Sequence, residues 1–159
     1  MTNNSILLTG TIDVSKSYGG MNTLPLVDIN ERLEQYNSAI SRYITESAFN
    51  KIVFVETSEY DFDYKFFQDL AEKNGKRFEY LTFMGSTELI KERGKSVGDA
   101  EAINYALKNS HLLKNEDTIY KVTGRIFLTN SYDIVKTKNE VRNEFFVIKN
   151  TTKIGSIVA

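Results

Sequence analysis

Apolar side chains recur along the chain with two different periods, and these periods predict alternating strands and helices. Residues 5–11 and 51–56 are short runs of apolar and β-branched residues, typical of buried strands, and residues 77–83 alternate between polar and apolar as a strand does. Between the strands, apolar residues spaced three and four apart predict two amphipathic helices. These apolar positions are Leu33, Tyr36, Ile40, Tyr43 and Ile44 in the first helix, and Phe62, Phe66, Phe67, Leu70 and Ala71 in the second.

The ends of both helices carry local signals. Asp28 can cap the first turn of the first helix, with Glu31 at the capping-box position, and Asn74-Gly75 is a typical C-terminal cap for the second. The tripeptide Asp61-Phe62-Asp63 reads D-x-D, a common metal-binding motif. Because it lies where the second helix opens, we expect it to cap the helix and stabilise its dipole rather than bind a metal.

The second half of the chain predicts one more helix and further strands. Residues 99–109 have the pattern of an amphipathic helix, expected to turn Ile103, Ala106 and Leu107 towards the core. A turn is expected at Thr123-Gly124. The strands predicted in this half cover residues 118–122, 125–128, 145–149 and 153–158, with residues 136–142 as a solvated loop or a short helix.

The order strand–helix–strand–helix–strand predicts an α/β domain with a mostly parallel sheet, right-handed crossovers and helices on both faces. The length of 159 residues fits one domain, so residues 1–159 are expected to form a single unit. Open α/β sheets bind ligands beyond the carboxyl ends of their strands. That rule directs attention to residues 9–11, 56–58 and 121–125, and to the loop after Phe83.

The composition limits the kinds of functional site and partner that the chain can have. The chain has no Cys and one His, which excludes disulfides, thiolate metal sites and multi-histidine zinc sites. A net charge of -1 argues against a dedicated duplex DNA-binding protein, so no nucleic-acid partner is expected. No apolar run approaches the ~18 residues of a membrane span, and residues 6–8 are too short for a signal peptide. We therefore expect a cytoplasmic protein.

Two candidate segments follow the first two strands. In Thr9-Gly10-Thr11, the glycine allows a ligand to approach the backbone, and the hydroxyls can bond a base, a ribose or a phosphate. The alternative is an ordinary strand end, since neither GxGxxG nor P-loop spacing is present. Glu56, with Ser58 beside it, can accept from a ribose hydroxyl, or it can be an exposed loop acid.

Two more candidate segments lie further along. Lys95 and Gly98 lead into a helix whose first turn suits a phosphate, whereas Asp99 and Glu101 suit sugar hydroxyls. The alternative is a flexible loop before an acid-capped helix. Lys121 and Arg125 can together neutralise a diphosphate, or they can be solvated cations beside a turn; His111 is expected to be structural.

In this order, the segments resemble bacterial glycosyltransferases of the GT-A type, the nucleotide-diphosphosugar transferases encoded with capsule and other surface-polysaccharide genes. The resemblance is carried by ILLTGTI, ERLEQYNSAISRYI, KIVFVETS, GKSVGDAEAINYAL and YKVTGRIFLTN, and it covers residues 6–130. It implies a Rossmann-like fold, a nucleoside-diphosphate sugar as donor and a saccharide or lipid-linked saccharide as acceptor. It also implies a place of action at the inner face of the membrane.

The resemblance also implies roles for single residues. The usual metal-binding D-x-D follows the family's fourth strand, where this chain has Lys121-Val-Thr-Gly-Arg125, so no metal ligand is assigned and Mg²⁺ or Mn²⁺ stays an open question. Fixed cations there could stabilise the departing diphosphate instead. The implied catalytic residues are Asp99, Glu101, Lys121 and Arg125, and the implied nucleotide-sugar contacts are Thr9, Gly10, Thr11, Glu56, Ser58, Lys95, Gly98 and Thr123.

The length of the chain bears on its expected activity, and two alternative functions stay open. The chain stops at residue 159, whereas the family places acceptor binding further on, so the acceptor-binding part is expected to be missing. One alternative is a non-catalytic binding or assembly module with a transferase-like fold. The other is a different small nucleotide-binding enzyme, which the shortage of clustered carboxylates argues against. The sequence leaves a homo-oligomer open.

Overall fold

The computed structural model describes residues 3–17, 28–137, 145–147 and 156–158, and it shows an α/β fold. Strands and helices alternate along most of the chain, as the apolar pattern predicts. The strands are β1 (Ser5–Gly10), β2 (Lys51–Glu56), β3 (Arg77–Thr82), β4 (Ile119–Thr123), β5 (Phe145–Val147) and β6 (Ser156–Val158). The helices are α1 (Val14–Ser17), α2 (Ile29–Glu46), α3 (Tyr64–Lys73), α4 (Thr87–Arg93), α5 (Lys95–Asn109) and α6 (Ser131–Lys136).

The described strands form one sheet in the order β3-β2-β1-β4-β6-β5. The first four are parallel, with Ser5 of β1 opposite Lys51 of β2 on one side and Ile119 of β4 on the other. Strands β5 and β6 extend the sheet in antiparallel pairing. The order of the parallel strands is consistent with a Rossmann-like arrangement. Strands β2 and β3 are added on one side of β1, and β4 is then added on its other side.

Helices cover both faces of the sheet, as predicted. Successive strand residues point to opposite faces, so Ile6 and Leu8 pack with α2 and α3, whereas Leu7 packs with α5. The first face is rich in aromatic side chains, with Tyr36 and Phe54 rings 5.2 Å apart. Both cores are buried, and the sheet is therefore held rigidly between them.

The expected helix caps are present. Asp28 caps α2, its Oδ1 accepting from Glu31 N at 2.9 Å, and Gly75 ends α3 with a φ of 67°. Asp63 is the N-cap of α3, with its Oδ1 3.4 Å from Phe66 N. The D-x-D tripeptide therefore caps a helix, as predicted, and the residues described include no cluster of three or more potential metal ligands.

The start of α5 differs from the prediction. The helix begins at Lys95 instead of residue 99, and the unpredicted helix α4 precedes it. Gly98 lies inside α5, where a Cβ would be 3.0 Å from Ile90 Cδ1, so the missing side chain lets α4 and α5 approach closely. Leu107 is 52% exposed, so its predicted inward position is wrong; Ala102 is buried instead.

The predicted strand at residues 125–128 is also wrong. The Tyr43 hydroxyl donates to Ile126 O at 2.8 Å and accepts from Leu128 N at 3.2 Å. Phe127 packs on the same Tyr43 ring, with centroids 5.0 Å apart. These contacts hold the segment against α2, so its backbone groups bond a side chain instead of a neighbouring strand.

The C-terminal predictions are met in part. Strands β5 and β6 fall inside the predicted residues 145–149 and 153–158, whose remaining positions lie outside the described residues. The predicted loop or short helix at residues 136–142 begins at the end of α6, an unpredicted helix, and residues 138–142 lie outside the described residues. Across the described chain, no helix has the length and apolar character needed to cross a membrane.

Candidate functional site

A cleft of about 460 Å³ opens at the carboxyl ends of the parallel strands. It lies where β1 and β4 end side by side, the point at which open α/β sheets bind their ligands. Helix α2 forms one wall, and the first turns of α5 form the other. The lining residues are Thr9, Gly10, Thr11, Arg32, Tyr36, Thr57, Gly85, Ile90, Lys95, Ser96, Gly98, Asp99, Ala102, Thr123 and Arg125.

The floor of the cleft depends on two glycines that pack against one tyrosine. A Cβ on Gly10 would lie 2.4 Å from Tyr36 Cε1, and one on Gly124 would lie 3.1 Å from the same atom. Gly124 N also donates to Thr9 O at 2.8 Å, which joins the ends of β4 and β1. Burial raises the pKa of Tyr36, so its hydroxyl is neutral at physiological pH. The distance at Gly10 leaves no room for a side chain beside the Tyr36 ring, and Gly124 makes a tight contact with the same ring.

Arg32 and Tyr36 fix the backbone that follows β1. The buried guanidinium of Arg32 donates to Thr11 O from Nε at 2.8 Å and from Nη2 at 2.5 Å. The Tyr36 hydroxyl accepts from Thr11 N at 3.0 Å. Because side chains of α2 bond both the backbone N–H and the backbone C=O of Thr11, the loop after β1 keeps a defined position at the cleft.

Glu56 and Ser58 lie beneath the cleft and are not part of its lining. Both are fully buried. The Glu56 carboxylate accepts from Ile12 N at 2.9 Å, Tyr60 N at 2.9 Å and Thr82 Oγ1 at 3.1 Å, and also from the Ser58 amide and hydroxyl. Ser58 Oγ in turn accepts from Asp13 N at 3.0 Å. These two residues hold the loops after β1 and β2 together from within.

Asp99 connects α5 with the ends of β1 and β4. Its Oδ1 accepts from Thr9 Oγ1 at 2.7 Å, and its Oδ2 pairs with Lys121 Nζ. The Lys121 side chain is 10% exposed and the Asp99 side chain 44%, so the carboxylate faces the cleft while the ammonium lies behind it. Lys121 thus neutralises Asp99 and does not itself line the cleft.

The first turn of α5 opens onto the cleft through Lys95 and Ser96. Gly94 is the N-cap, with a φ of 88° and no side chain to accept from the first amides. The amides of a helix N-terminus attract anions, and no acidic residue lies in this first turn. Glu101 is directed elsewhere, its Oε2 accepting from Ser86 N at 3.2 Å.

Basic side chains outnumber acidic ones around the cleft. Arg32, Lys95 and Arg125 line it, against the single carboxylate of Asp99. Arg125 Nη1 donates to Gln35 Oε1 at 2.9 Å, and its buried Nε has no hydrogen-bond partner within the described residues. Since Lys121 already compensates Asp99, the side chains of Lys95 and Arg125 give the lining an excess of positive charge over Asp99.

Eight of the twelve residues singled out from the sequence meet in this cleft. Arg32 and Tyr36 were missed, because Tyr36 fits the apolar stripe of α2 and nothing in the sequence marks Arg32 as facing the end of β1. The predicted residues in the lining are Thr9, Gly10, Thr11, Lys95, Gly98, Asp99, Thr123 and Arg125; Glu56, Ser58, Glu101 and Lys121 lie outside it.

Comparison with known proteins identified no relative: no family model, no curated protein and no solved structure matches the chain significantly. The cleft itself is therefore the basis for assigning a function.

Proposed function

We propose that the cleft binds the diphosphate of a nucleoside-diphosphate sugar, and that the chain is a GT-A-like glycosyltransferase domain. The reaction moves the sugar to a hydroxyl of a saccharide or lipid-linked saccharide in surface-polysaccharide synthesis. The observation that carries the proposal is the position of two basic side chains, Lys95 and Arg125, and an open helix N-terminus around one cleft where β1 and β4 end side by side.

The charge of the cleft favours a phosphorylated ligand. Arg125 offers a planar guanidinium that can bond two phosphate oxygens, and Lys95 adds a point charge beside the first amides of α5. A volume of about 460 Å³ is in the range of small-molecule sites. The hydroxyl of Thr123 lines the cleft and can bond a ribose or a base, whereas the buried Thr11 and Thr57 hydroxyls bond each other at 2.6 Å.

Asp99 is the group best placed for the sugar. Thr9 and Lys121 each bond one of its oxygens, which fixes the carboxylate, and the remaining lone pairs face the cleft. In this proposal Asp99 accepts from sugar hydroxyls and holds the anomeric carbon towards the acceptor. The acceptor oxygen then forms a bond to that carbon while the bond to the diphosphate oxygen breaks, and the acceptor proton passes to a base.

The leaving diphosphate needs positive charge in the transition state. We propose that Arg125 and Lys95 supply it as fixed cations. This assignment replaces Lys121, which the sequence suggested for the role, because its ammonium is paired with Asp99 behind the cleft wall. Lys121 then acts indirectly, by keeping Asp99 in place.

Calorimetric titration with UDP, GDP, CMP and dTDP, with and without Mn²⁺, tests the proposal. We expect micromolar binding of one nucleotide without metal, weakened at least about tenfold by Arg125→Ala, which removes a charged hydrogen-bond donor. Lys65→Ala is the matched control, since Lys65 is a solvated cation on α3 that pairs with Asp69 and does not line the cleft. Release of the nucleoside diphosphate from the matching sugar donor then measures transfer or hydrolysis.

Two results would contradict the proposal in different ways. Strict dependence on Mn²⁺ would keep a transferase but refute the role of fixed cations. Absence of binding by all four nucleotides, with a folded protein, would instead favour a non-catalytic module with a transferase-like fold.

A further inference from the structure

Another cavity, of about 390 Å³, adjoins the cleft on the side of α2. Arg125 lines both, so the two spaces meet at its side chain. Apart from Arg125, the residues that line this side cavity are Glu34, Gln35, Ser38, Ala39, Arg42 and Phe127. Five of these six residues lie on α2, and the sixth belongs to the segment after β4 that packs against the same helix.

The cleft itself has little to hold a nucleobase. Proteins bind a base by stacking its flat face on an aromatic ring or on a guanidinium plane. Among the described residues that line the cleft, Tyr36 is the only aromatic one, and it is 1% exposed because its ring packs against Gly10 and Gly124. The guanidinium of Arg32 is also buried, with its donors directed to Thr11 O. The base of a nucleotide in the cleft therefore needs a surface outside it.

The side cavity provides such a surface. The guanidinium carbon of Arg42 lies 3.9 Å from the centre of the Phe127 ring, so these two flat groups are in contact. Tyr43 packs on the same ring, with centroids 5.0 Å apart. Glu46 accepts from Arg42 Nε at 3.1 Å and from Nη2 at 3.0 Å, at the edge of the guanidinium. The plane is thus fixed from one face and one edge, while the Arg42 side chain stays 44% exposed.

The order of the groups in a nucleoside-diphosphate sugar directs the base to this side. The diphosphate joins the sugar to the ribose, and the ribose carries the base. Asp99, assigned to the sugar, lies on α5, whereas Arg125 is bonded to Gln35 of α2 at 2.9 Å. With the diphosphate at Arg125, the ribose and the base continue away from Asp99 and towards the side cavity.

We propose that the side cavity holds the base of the donor nucleotide, stacked on the guanidinium of Arg42. Phe127 supports this plane from beneath, and Glu34 and Ser38 offer an acceptor and a hydroxyl to the edge of the base. Arg42 then binds the nucleoside, and Arg125 binds the diphosphate. The inference rests on the proposed function, because it requires a nucleoside diphosphate in the cleft.

Calorimetric titration of the full chain with UDP, GDP, dTDP and inorganic diphosphate tests the assignment. We expect at least one of the three nucleotides to bind more tightly than inorganic diphosphate. Arg42→Ala should weaken binding of that nucleotide about 3- to 30-fold, the range of a cation over a flat ring, and leave the affinity for inorganic diphosphate unchanged. Arg42→Lys keeps the charge but not the plane, so it should weaken the nucleotide almost as much. Arg125→Ala should weaken both ligands.

Arg77→Ala is the matched control, because Arg77 is an exposed arginine at the start of β3 that lines neither the cleft nor the side cavity. It should change neither affinity, and circular dichroism checks that each variant is folded. Equal weakening of nucleotide and inorganic diphosphate by Arg42→Ala, or full affinity in Arg42→Lys, would overturn the stacking in favour of a charge effect.

Two other results separate this inference from the proposed function. Nucleotide binding that depends on Arg125 but not on Arg42 would refute the base site alone, as would nucleotides that bind no more tightly than inorganic diphosphate. Absence of binding by the nucleotides and by inorganic diphosphate would refute the proposed function, and the base site with it.

Discussion

The isosteric change Glu56→Gln should destabilise the fold strongly, although Glu56 does not line the cleft. The Glu56 carboxylate is fully buried, and its oxygens receive hydrogen bonds from Ile12 N in the loop after β1, from Tyr60 N in the loop after β2 and from the Thr82 hydroxyl. Glutamine replaces one of these acceptor oxygens with an NH₂ group. Whichever oxygen is replaced, the NH₂ group faces one backbone amide that loses its acceptor, either Ile12 N or Tyr60 N, whereas the Ser58 and Thr82 hydroxyls can rotate to accept from it.

The size of the effect follows from the number of donors left unpaired. A buried donor without a partner costs about 1–3 kcal/mol, and one backbone amide is left in this state. That is a substantial part of the about 5–15 kcal/mol of free energy of unfolding in an ordinary domain. With a urea m-value of about 2 kcal/mol/M, the unfolding midpoint should fall by about 0.5–1.5 M.

Urea unfolding followed by circular dichroism measures this change. Glu59→Gln is the matched control, since Glu59 is exposed and only three residues away; its midpoint should stay within the small range of surface substitutions. A free energy of unfolding for Glu56→Gln within about 0.5 kcal/mol of that control would refute the role of Glu56 as the central acceptor of the two loops. If nucleotide affinity fell while stability did not change, Glu56 would contact the ligand directly.

Three further predictions concern single residues. Gly10→Ala should cost about 1–3 kcal/mol in thermal unfolding, because the new Cβ would lie 2.4 Å from the buried Tyr36 ring; an unchanged melting temperature would contradict this packing. Asp63→Ala should lower the free energy of unfolding by about 1 kcal/mol through loss of the α3 cap, and Asp61→Ala by less than half as much; the reverse order would refute the cap assignment. Burial raises the pKa of Tyr43 above its unfolded value of about 10, so the folded state keeps a proton that the unfolded state loses, and stability should fall as pH rises beyond about 10. Urea midpoints between pH 8 and 11 should show this fall, and a Tyr43→Phe variant should show a shallower one.

Much of the fold could be predicted because its elements are locally determined. The strand at residues 51–56 is predicted with its observed bounds, and Asp28 and Asn74-Gly75 mark helix ends by their own chemistry. Predictions failed where a distant contact decides the conformation. The sequence places Gly98 before the helix, but Gly98 lies inside α5, where its missing side chain leaves room for Ile90 of α4. The segment at residues 125–128 has strand-like residues, but the Tyr43 hydroxyl holds its backbone.

The candidate site was predictable in its position and less so in its contacts. The rule that ligands bind at strand ends places Thr9, Asp99 and Arg125 together, and the structure brings them into one cleft. The sequence alone could not show that Lys121 lies behind the cleft and is paired with Asp99. A lysine that faces the cleft and a lysine that faces Asp99 would occupy the same position at the end of β4. Arg32 was missed because its role depends on the angle at which α2 crosses the end of β1.

The position of β1 in the centre of the sheet has a consequence for the order in which the cleft is built. Strand β1 can pair with β2 early in synthesis, but its other neighbour begins only at Ile119. Until then one side of β1 has no partner, Asp99 lacks its ammonium counter-ion, and Arg125 does not yet exist. Pairings between residues so far apart in sequence form late. Ligand binding at the cleft would therefore report that the last parallel strand has entered the sheet, and a nascent chain halted before Ile119 would show none.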